Sequence, residues 1–438
     1  MDCFATLPPE IRAVILAQFS SATTISRLIR ASPAMLAEYT ASKTGIIPDS
    51  LANLLCGDQY HDILQDALAI IHLDLTSTSP DNHLIAYRVE QWAKKKSPNP
   101  FRQDDQVTVI NLYWLFTRLG AFVEDYLSKA TTSCPAQAYL HLPKIAHPSS
   151  GLHYKQNPGF KHVTLDDITC TERHRLLRAF TKYEVLCKIH DPRVEGIINH
   201  DQHATLTGGS LSSLDEWEKE SLRCVNEYVR GVYGGLFAMC AAPRALLDTS
   251  SMTPQLKKRR KRLYPDNLYF DAQEYLTDMS LSIAWRQVNL ADGLPYLGFD
   301  LLTHLLVHSD QNRHTDMRGW LRSVTREWRI QNWPRSYHSL RDLLRERLLI
   351  FAMPDDLNGR SNTRWMNPDT FLQRKIYRQR AWVFFDDARL FPDGGNLNHF
   401  PTMDDLEEEF EAAPMNYDYR HYCEKRQMSR MIQLSRFA

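Results

Sequence analysis

The chain lacks a net charge, because its 52 lysines and arginines equal its 52 aspartates and glutamates. Proteins dedicated to nucleic acid usually carry a basic excess, so this balance argues against a nucleic-acid partner. No run approaches the roughly eighteen apolar residues needed to cross a bilayer, and no membrane partner is predicted. The N-terminus also lacks a basic segment followed by a long apolar run, so we expect no signal peptide.

Cysteine is sparse, and no two cysteines form a Cys-x-x-Cys pair. Thinly spread cysteines are typical of reduced thiols in a cytosolic or nuclear protein, and we expect one or both of those compartments. The eight cysteines are Cys3, Cys56, Cys134, Cys170, Cys187, Cys224, Cys240 and Cys423.

Recognisable catalytic motifs are also missing. There is no glycine-rich phosphate loop and no Gly-x-Ser-x-Gly elbow. His304 and His308 stand four apart, a spacing that suits a metal, but no glutamate lies between them and no third ligand is evident. His200 and His203 lack partners in the same way, in a segment read as a polar surface loop. We predict no catalytic residue, metal or cofactor, and keep a metal-dependent enzyme built on His304 and His308 as a third alternative.

What the chain does contain is helical periodicity. Forty-three per cent of the residues are apolar and 24% are charged, a globular composition. A helix is predicted over about 104–130, and a capping box is expected at Thr169 and Glu172. No fixed-period repeat is present, so solenoids and propellers are not supported. The fold class is therefore mainly α, with a short three-helix motif at 1–45 and a large irregular α-helical body at 46–438.

Several segments of the body are predicted to depart from that helical pattern. Polar composition indicates surface loops at 131–165 and 190–212. The run 381–385 is more typical of a buried strand or extended segment. A second capping box is expected at Ser213 and Glu216.

The first forty-five residues predict three short helices. We expect Thr6 to cap the first helix and Thr24 the second, and Ser32 with Pro33 to begin the third. A unit of about forty residues rarely buries enough surface to stand alone, so it must lean on the body or a partner. The residues expected on its apolar faces are Ile11, Val14, Ile15, Phe19, Ile25, Leu28, Ile29, Leu36 and Tyr39.

This stretch resembles an F-box. The resemblance rests on the start Leu7-Pro8-x-Glu10-Ile11, the pair Ile15-Leu16 behind it and the apolar positions of the second helix. An F-box commonly continues with a Val-Cys-basic-Trp run, whereas this chain has Ile29-Arg-Ala-Ser-Pro33, as in F-box-like proteins of filamentous fungi. The segment 172–184 also resembles a recurrent stretch of those proteins.

The resemblance implies a non-enzymatic substrate receptor. Its three-helix motif would bind a Skp-type adaptor and, through it, a cullin-type ubiquitin ligase, while the body would capture a target protein. The alternative is a non-catalytic intracellular interaction protein whose F-box-like helices are absorbed into its own core. The implied adaptor-binding residues are Leu7, Pro8, Ile11, Ile15, Leu16, Ile25, Leu28 and Ile29.

One charge run stands out, six consecutive basic residues bracketed by prolines. Such a run repels itself and stays solvated, so it indicates a nuclear-import signal or a phosphate-binding patch. An exposed loop balanced by the acidic segment 404–411 explains it equally well, and the two interpretations stay open. The residues are Lys257, Lys258, Arg259, Arg260, Lys261 and Arg262.

Overall fold

A computed structural model describes the chain over the following residues: 2–73, 82–132, 138–143, 145, 162–198, 200–245, 270, 272, 293–310, 340, 342–344, 371–386 and 389. These residues form thirteen α-helices, two short 3-10 helices and no β-strand, which confirms the prediction of a mainly α protein. None of the described helices combines the length and hydropathy that crossing a bilayer requires.

The helices are numbered in chain order, and the segments between some of them lie partly outside the described residues. The α-helices are α1 (Pro9–Gln18), α2 (Ala22–Ala31), α3 (Pro33–Leu54), α4 (Asp62–His72), α5 (Asn82–Ala93), α6 (Pro100–Gln103), α7 (Gln106–Ala130), α8 (Cys170–Ile189), α9 (Pro192–Ile197), α10 (His200–Ser212), α11 (Glu216–Ala245), α12 (Gly298–Asp310) and α13 (Phe371–Gln379). The 3-10 helices are Leu165–Asp167 and Leu294–Leu297.

Of the three capping residues predicted for α1, α2 and α3, the structure confirms one. Ser32 begins α3 as predicted, its hydroxyl accepting the Met35 amide at 3.1 Å. The second prediction is wrong, because Ser21 rather than Thr24 caps α2 and accepts the Thr24 amide at 3.1 Å. The first is also wrong, since Thr6 donates to a backbone carbonyl three residues earlier and leaves α1 without a side-chain cap. A hydroxyl caps a helix only where the preceding turn aims it at the free amides.

Helix α3 is longer than predicted, and the side of it that is buried differs from the predicted side. Met35 is fully buried and Leu36 is exposed, so the prediction of Leu36 on the buried side is wrong, while Tyr39 is half-buried. The helix continues without a break across residues 45 and 46, where the sequence placed the domain boundary. Its first half belongs to the three-helix N-terminal unit (residues 2–46), and its second half packs in the body (residues 47 onwards).

Two separate apolar cores follow from this division. The small core of the N-terminal unit consists of Leu16, Ile25, Met35 and Ile46. The large core of the body begins at Ile47 and extends as far as Phe385. Its centre is a group of packed rings: Phe122, Tyr126, Phe180, Tyr183, Tyr228 and Phe299.

Helices α7 and α8 form the frame of the body and agree with the sequence. The predicted apolar face of α7 is buried at every position: Leu112, Leu115, Phe116, Leu119, Phe122, Val123, Tyr126 and Leu127. At the start of α8, the Thr169 hydroxyl accepts the Glu172 amide at 3.2 Å, and the Glu172 carboxylate accepts the Thr169 amide at 3.0 Å. The predicted capping box is therefore confirmed.

The loop predicted at 190–212 is wrong, because this segment forms α9 and α10. His203, expected in a polar surface loop, is buried, and its Nε2 lies 2.9 Å from the Ile189 carbonyl. Thr207 is buried on the same side of α10 and donates to the His203 carbonyl. A helix whose inner face is polar has no apolar periodicity, so the sequence pattern does not reveal it.

Three further local predictions are corrected. Tyr139 and Val163 are buried, so the described parts of 131–165 do not form a simple surface loop. The segment 381–385 is buried as predicted but forms turns instead of a strand. At α11, Asp215 and Glu218 exchange side-chain-to-amide hydrogen bonds at 2.7 and 3.1 Å, in place of the pair expected at Ser213 and Glu216.

Candidate functional site

The structure divides the predicted adaptor-binding residues into buried, half-buried and exposed ones. Leu16 and Ile25 lie in the small core, so their assignment to a contact surface is wrong. Ile11 and Leu16 are five residues apart, which turns them about 140° from each other around the helix, so they cannot share a face. The half-buried residues are Leu7, Ile15, Leu28 and Ile29, and the exposed ones are Pro8 and Ile11.

The exposed residues belong to what we call the α1 outer face, formed by Pro8, Ile11 and Val14. Ile11 is 46% exposed and Val14 is 55% exposed. Helix α1 packs mainly on α3, which leaves this face turned outwards. The sequence reading included Val14 in an apolar stripe but did not assign it to the contact. Its three-residue spacing from Ile11 was the signal that could have done so.

A buried polar network holds the N-terminal unit against the body. Glu124 of α7 accepts hydrogen bonds from the Ser21 hydroxyl, from the Thr23 hydroxyl at 2.6 Å and from the Leu165 amide at 3.2 Å. Burial raises the pKa of Glu124, and the three hydrogen bonds partly oppose that shift. Sequence reasoning missed this residue, because Glu124 looks like a surface position next to the apolar face of α7.

A second set of contacts lies beside Glu124. The Ser20 amide donates to Asp166 at 2.8 Å, and Arg173 of α8 donates to the Ser20 hydroxyl at 2.7 Å. The turn between α1 and α2 is thereby fixed to three elements of the body. We call these contacts the joint, formed by Ser20, Ser21 and Thr23 on the unit and by Glu124, Asp166 and Arg173 on the body.

A cleft of 1370 Å³ lies between the N-terminal unit and the body, lined by residues of α2, α3, α7 and α12. Ile29, Leu36 and Trp114 give it an apolar wall, and the Leu36 and Trp114 side chains are exposed. The Lys43 ammonium lies 5.4 Å from the Trp114 ring centre and 6.0 Å from that of Tyr39. Cation–π attraction holds this charge beside the aromatic rings, so the apolar wall also carries a positive charge.

The far end of the cleft carries a cluster of ion pairs. Arg118 and Lys188 both bind Asp300, and Arg118 also lies 3.7 Å from Glu184. Burial and the neighbouring Asp300 carboxylate raise the pKa of Glu184 to about 7, against the pull of Lys188 and Arg118. Burial also opposes ionisation of Asp300, but the two cations outweigh it and lower its pKa to about 2. The cluster ties α7, α8 and α12 together.

The remaining predicted site residues do not form a chemical centre in the described part of the chain. His304 is exposed on α12 at the cleft, and the side chain of His308 lies outside the described residues. Over the described ranges, no three His, Cys, Asp or Glu side chains gather as ligands of a metal ion. The basic run 257–262 also lies outside the described residues.

Comparisons with known proteins identify no family for this chain. The chain matches no protein-family model, no curated protein and no solved structure. A function must therefore be argued from the α1 outer face, the joint and the cleft.

Proposed function

We propose that this chain is an F-box-like substrate receptor. The N-terminal unit binds a Skp-type adaptor, which links the chain to a cullin-type ubiquitin ligase, and the body captures a target protein. The observation that carries the proposal is the α1 outer face, where Ile11 and Val14 are exposed on the side of α1 away from the small core. Contiguous exposed apolar side chains are typical of protein–protein contacts.

The position of this face supports the proposal. Helix α1 is held from behind by α3, while α2 and α3 contact α7 of the body. A partner on the α1 outer face can therefore bind without displacing the joint. The half-buried Leu7 and Ile15 border the same face and would lose their remaining exposure on binding. At about 25 cal/mol per Å² of apolar surface, such burial supplies part of the association free energy.

The joint supports the proposal in a second way. A substrate receptor performs no bond chemistry, and its contribution is to hold a target close to the enzyme that modifies it. This requires a fixed geometry between the adaptor contact and the target contact. Two features provide it: Glu124 of the body accepts hydrogen bonds from the N-terminal unit, and helix α3 continues from the unit into the body.

The cleft between the N-terminal unit and the body has a shape that suits target capture. Its wall at Leu36 and Trp114 suits apolar side chains, and Lys43 suits a neighbouring carboxylate. We propose that it takes a target segment that combines apolar and acidic residues, in the helix-in-groove manner of other peptide-binding clefts. A designed acidic amphipathic peptide should bind the wild-type chain and should bind a Trp114→Ala variant more weakly.

A second candidate function is favoured by a specific observation. Leu16 and Ile25 are core residues, and Ser21 and Thr23 are committed to Glu124. These features suit a non-catalytic interaction protein whose F-box-like helices have become part of its own fold. The two functions differ in one respect, which is whether the α1 outer face binds an adaptor.

The experiment that separates them is co-purification of a Skp-type adaptor with the double variant Ile11→Ser/Val14→Ser. We expect the variant to lose the adaptor and to melt within a few degrees of the wild type, because exposed substitutions change stability little. The matched control is Val107→Ser, an exposed apolar residue at the start of α7, which should keep the adaptor. A wild-type chain that never captures an adaptor would reject the receptor function and favour the second candidate.

A further inference from the structure

Two cysteines that are distant in the sequence meet at the surface. The Sγ atoms of Cys56 and Cys170 lie 3.5 Å apart, although 114 positions separate the two residues. Both side chains are exposed, whereas Cys187 and Cys224 are buried in the body. The pair is therefore accessible to small reagents from solution, and its two sulfurs are already neighbours.

The backbones around the two cysteines are also close. Cys56 lies just after the end of α3, and Cys170 is the first residue of α8. A Cβ atom placed on Gly57 would lie 3.1 Å from the His174 side chain, so the turn after α3 rests on the first turns of α8. A disulfide requires the sulfurs to approach to about 2.0 Å. The remaining gap of about 1.5 Å is small compared with the displacement that one side-chain torsion produces.

The pair lies next to the joint. Asp166 and Arg173, which hold Ser20, stand four residues before and three residues after Cys170. On the other side, Asn53 donates to the Ala17 carbonyl at 2.8 Å, three residues before Cys56. A covalent bond between the two cysteines would thus connect the segment that supports α1 with the segment that receives the joint.

We propose that Cys56 and Cys170 are a modification site, at which thiol–disulfide exchange with a small disulfide such as oxidised glutathione forms a reversible bond between the turn that follows α3 and the first turn of α8. The bond fastens the C-terminal end of α3, from which Asn53 binds the Ala17 carbonyl of α1, to the start of α8. The proposal does not rest on the receptor function, because it concerns the two cysteines and the joint alone. In a reducing compartment the bond is expected to be transient.

The exchange takes two steps. The Cys170 thiolate attacks one sulfur of oxidised glutathione, forming a mixed disulfide and releasing one glutathione thiolate. The Cys56 sulfur then attacks the Cys170 sulfur and releases the second glutathione thiolate. The two protein thiols lose two electrons and two protons, and one oxidised glutathione becomes two reduced ones.

The position of Cys56 suits the second step more than its pKa does. Burial raises the pKa of Cys56, and the hydrogen bond with the Cys170 sulfur acts in the same direction, while Arg173 opposes both. The raised pKa disfavours the Cys56 thiolate, so Cys56 must release its proton to solvent before the second attack. It then needs no approach from solution, because it already touches the sulfur that it must reach.

The test equilibrates the full-length chain with glutathione buffers of increasing oxidised fraction, followed by alkylation and peptide mapping. We expect a Cys56–Cys170 disulfide to appear before any other cysteine is modified. We also expect the oxidised chain to melt several degrees above the reduced one, since the bond closes a long loop of the unfolded chain.

Variants make the test specific. Cys56→Ser should leave Cys170 with bound glutathione in the same buffers and should abolish the rise in melting temperature. The matched control is Cys3→Ser, which removes another exposed cysteine and should preserve both the disulfide and the rise. Glutathione bound separately to Cys56 and Cys170, without a bond between them, would overturn the proposal. A Cys56–Cys170 bond that forms only after denaturation would do the same.

Discussion

The N-terminal unit and the body consist of the same kind of helix, but they are stabilised differently. The unit has a core of four side chains, whereas the body has a continuous core from Ile47 to Phe385. A core that small cannot by itself offset the conformational entropy of about forty residues. The unit compensates with contacts to the body, through α3 and through the buried carboxylate of Glu124. Contacts with the body therefore contribute to the N-terminal unit the stability that its own small core does not supply.

The largest effect is expected in the core of the body. Phe180 is fully buried and stacks on Phe299 with ring centres 5.5 Å apart. Phe180→Ala should lower the free energy of unfolding by about 3–5 kcal/mol, because it removes apolar contact and leaves a cavity. Urea denaturation followed by circular dichroism measures this loss. A loss below about 1 kcal/mol would mean that the core of the body collapses around the missing ring and leaves little cavity.

A smaller and more local effect is expected in the small core. Leu16 is fully buried between α1 and the rest of the unit. Leu16→Ala should cost about 2–4 kcal/mol, and the loss should open the N-terminal unit while the body stays folded. Amide hydrogen exchange distinguishes the two regions, with faster exchange expected in α1 and α2 and unchanged exchange in α7. Equal acceleration in α7 would show that the unit and the body unfold together.

Disrupting the joint should lower the free energy of unfolding by an intermediate amount. Glu124→Ala leaves the Ser21 hydroxyl, the Thr23 hydroxyl and the Leu165 amide without their acceptor, at an expected cost of about 1–3 kcal/mol. Glu124→Gln keeps one acceptor oxygen and should cost less. Hydrogen exchange at the start of α2 and at Leu165 should rise in the alanine variant. If both variants are as stable as the wild type, the network does not hold the unit.

The smallest effect is a pH dependence within the body. The folded pKa of Glu184 is raised from 4.5 to about 7, so between these values the folded chain binds a proton that the unfolded chain releases. Stability from this group is therefore greatest below about pH 4.5 and is lost as the pH rises towards 7. Asp300 does not mask the trend, because its lowered pKa of about 2 acts below pH 3.8.

The variant Glu184→Gln isolates this contribution. Between about pH 5 and about pH 7 the wild type should lose roughly 1–2 kcal/mol more stability than the variant. Thermal unfolding at a series of pH values measures the difference. Parallel curves for the two chains would show that Glu184 titrates alike in the folded and unfolded states.

Much of the body was predictable, because its signals are local. The eight apolar positions of α7 share one face at helical spacing, and each of them is buried. The box at Thr169 and Glu172 satisfies free amides within a single turn of α8, so it needs no information from elsewhere. Helix α10 was missed for the opposite reason. Its inner face includes the polar residues His203 and Thr207, which are buried only because other helices cover them.

The site was predictable only in part. The apolar residues of α1 were recognised, but the sequence did not assign Ile11 and Val14 to the outside and Leu16 to the inside. Which side of a helix is covered depends on the neighbours that pack on it, and here these are α3 and the body. Glu124 and the pair of Cys56 and Cys170 were not predicted as contacts, because each joins positions more than forty residues apart.

By itself, the sequence determined the helical class of this protein and the extent and inner face of α7. Periodicity and capping act over one or two helical turns, so the residues that determine them are close together in the sequence. The tertiary structure alone decided that α3 continues past Gly45 and Pro48, residues that disfavour helix interiors. Ile46 packs in the small core and Ile47 in the large one, so burial on both sides outweighs that local preference. The same packing decided which face of α1 remains exposed, because only distant parts of the chain can cover or leave open a helical surface.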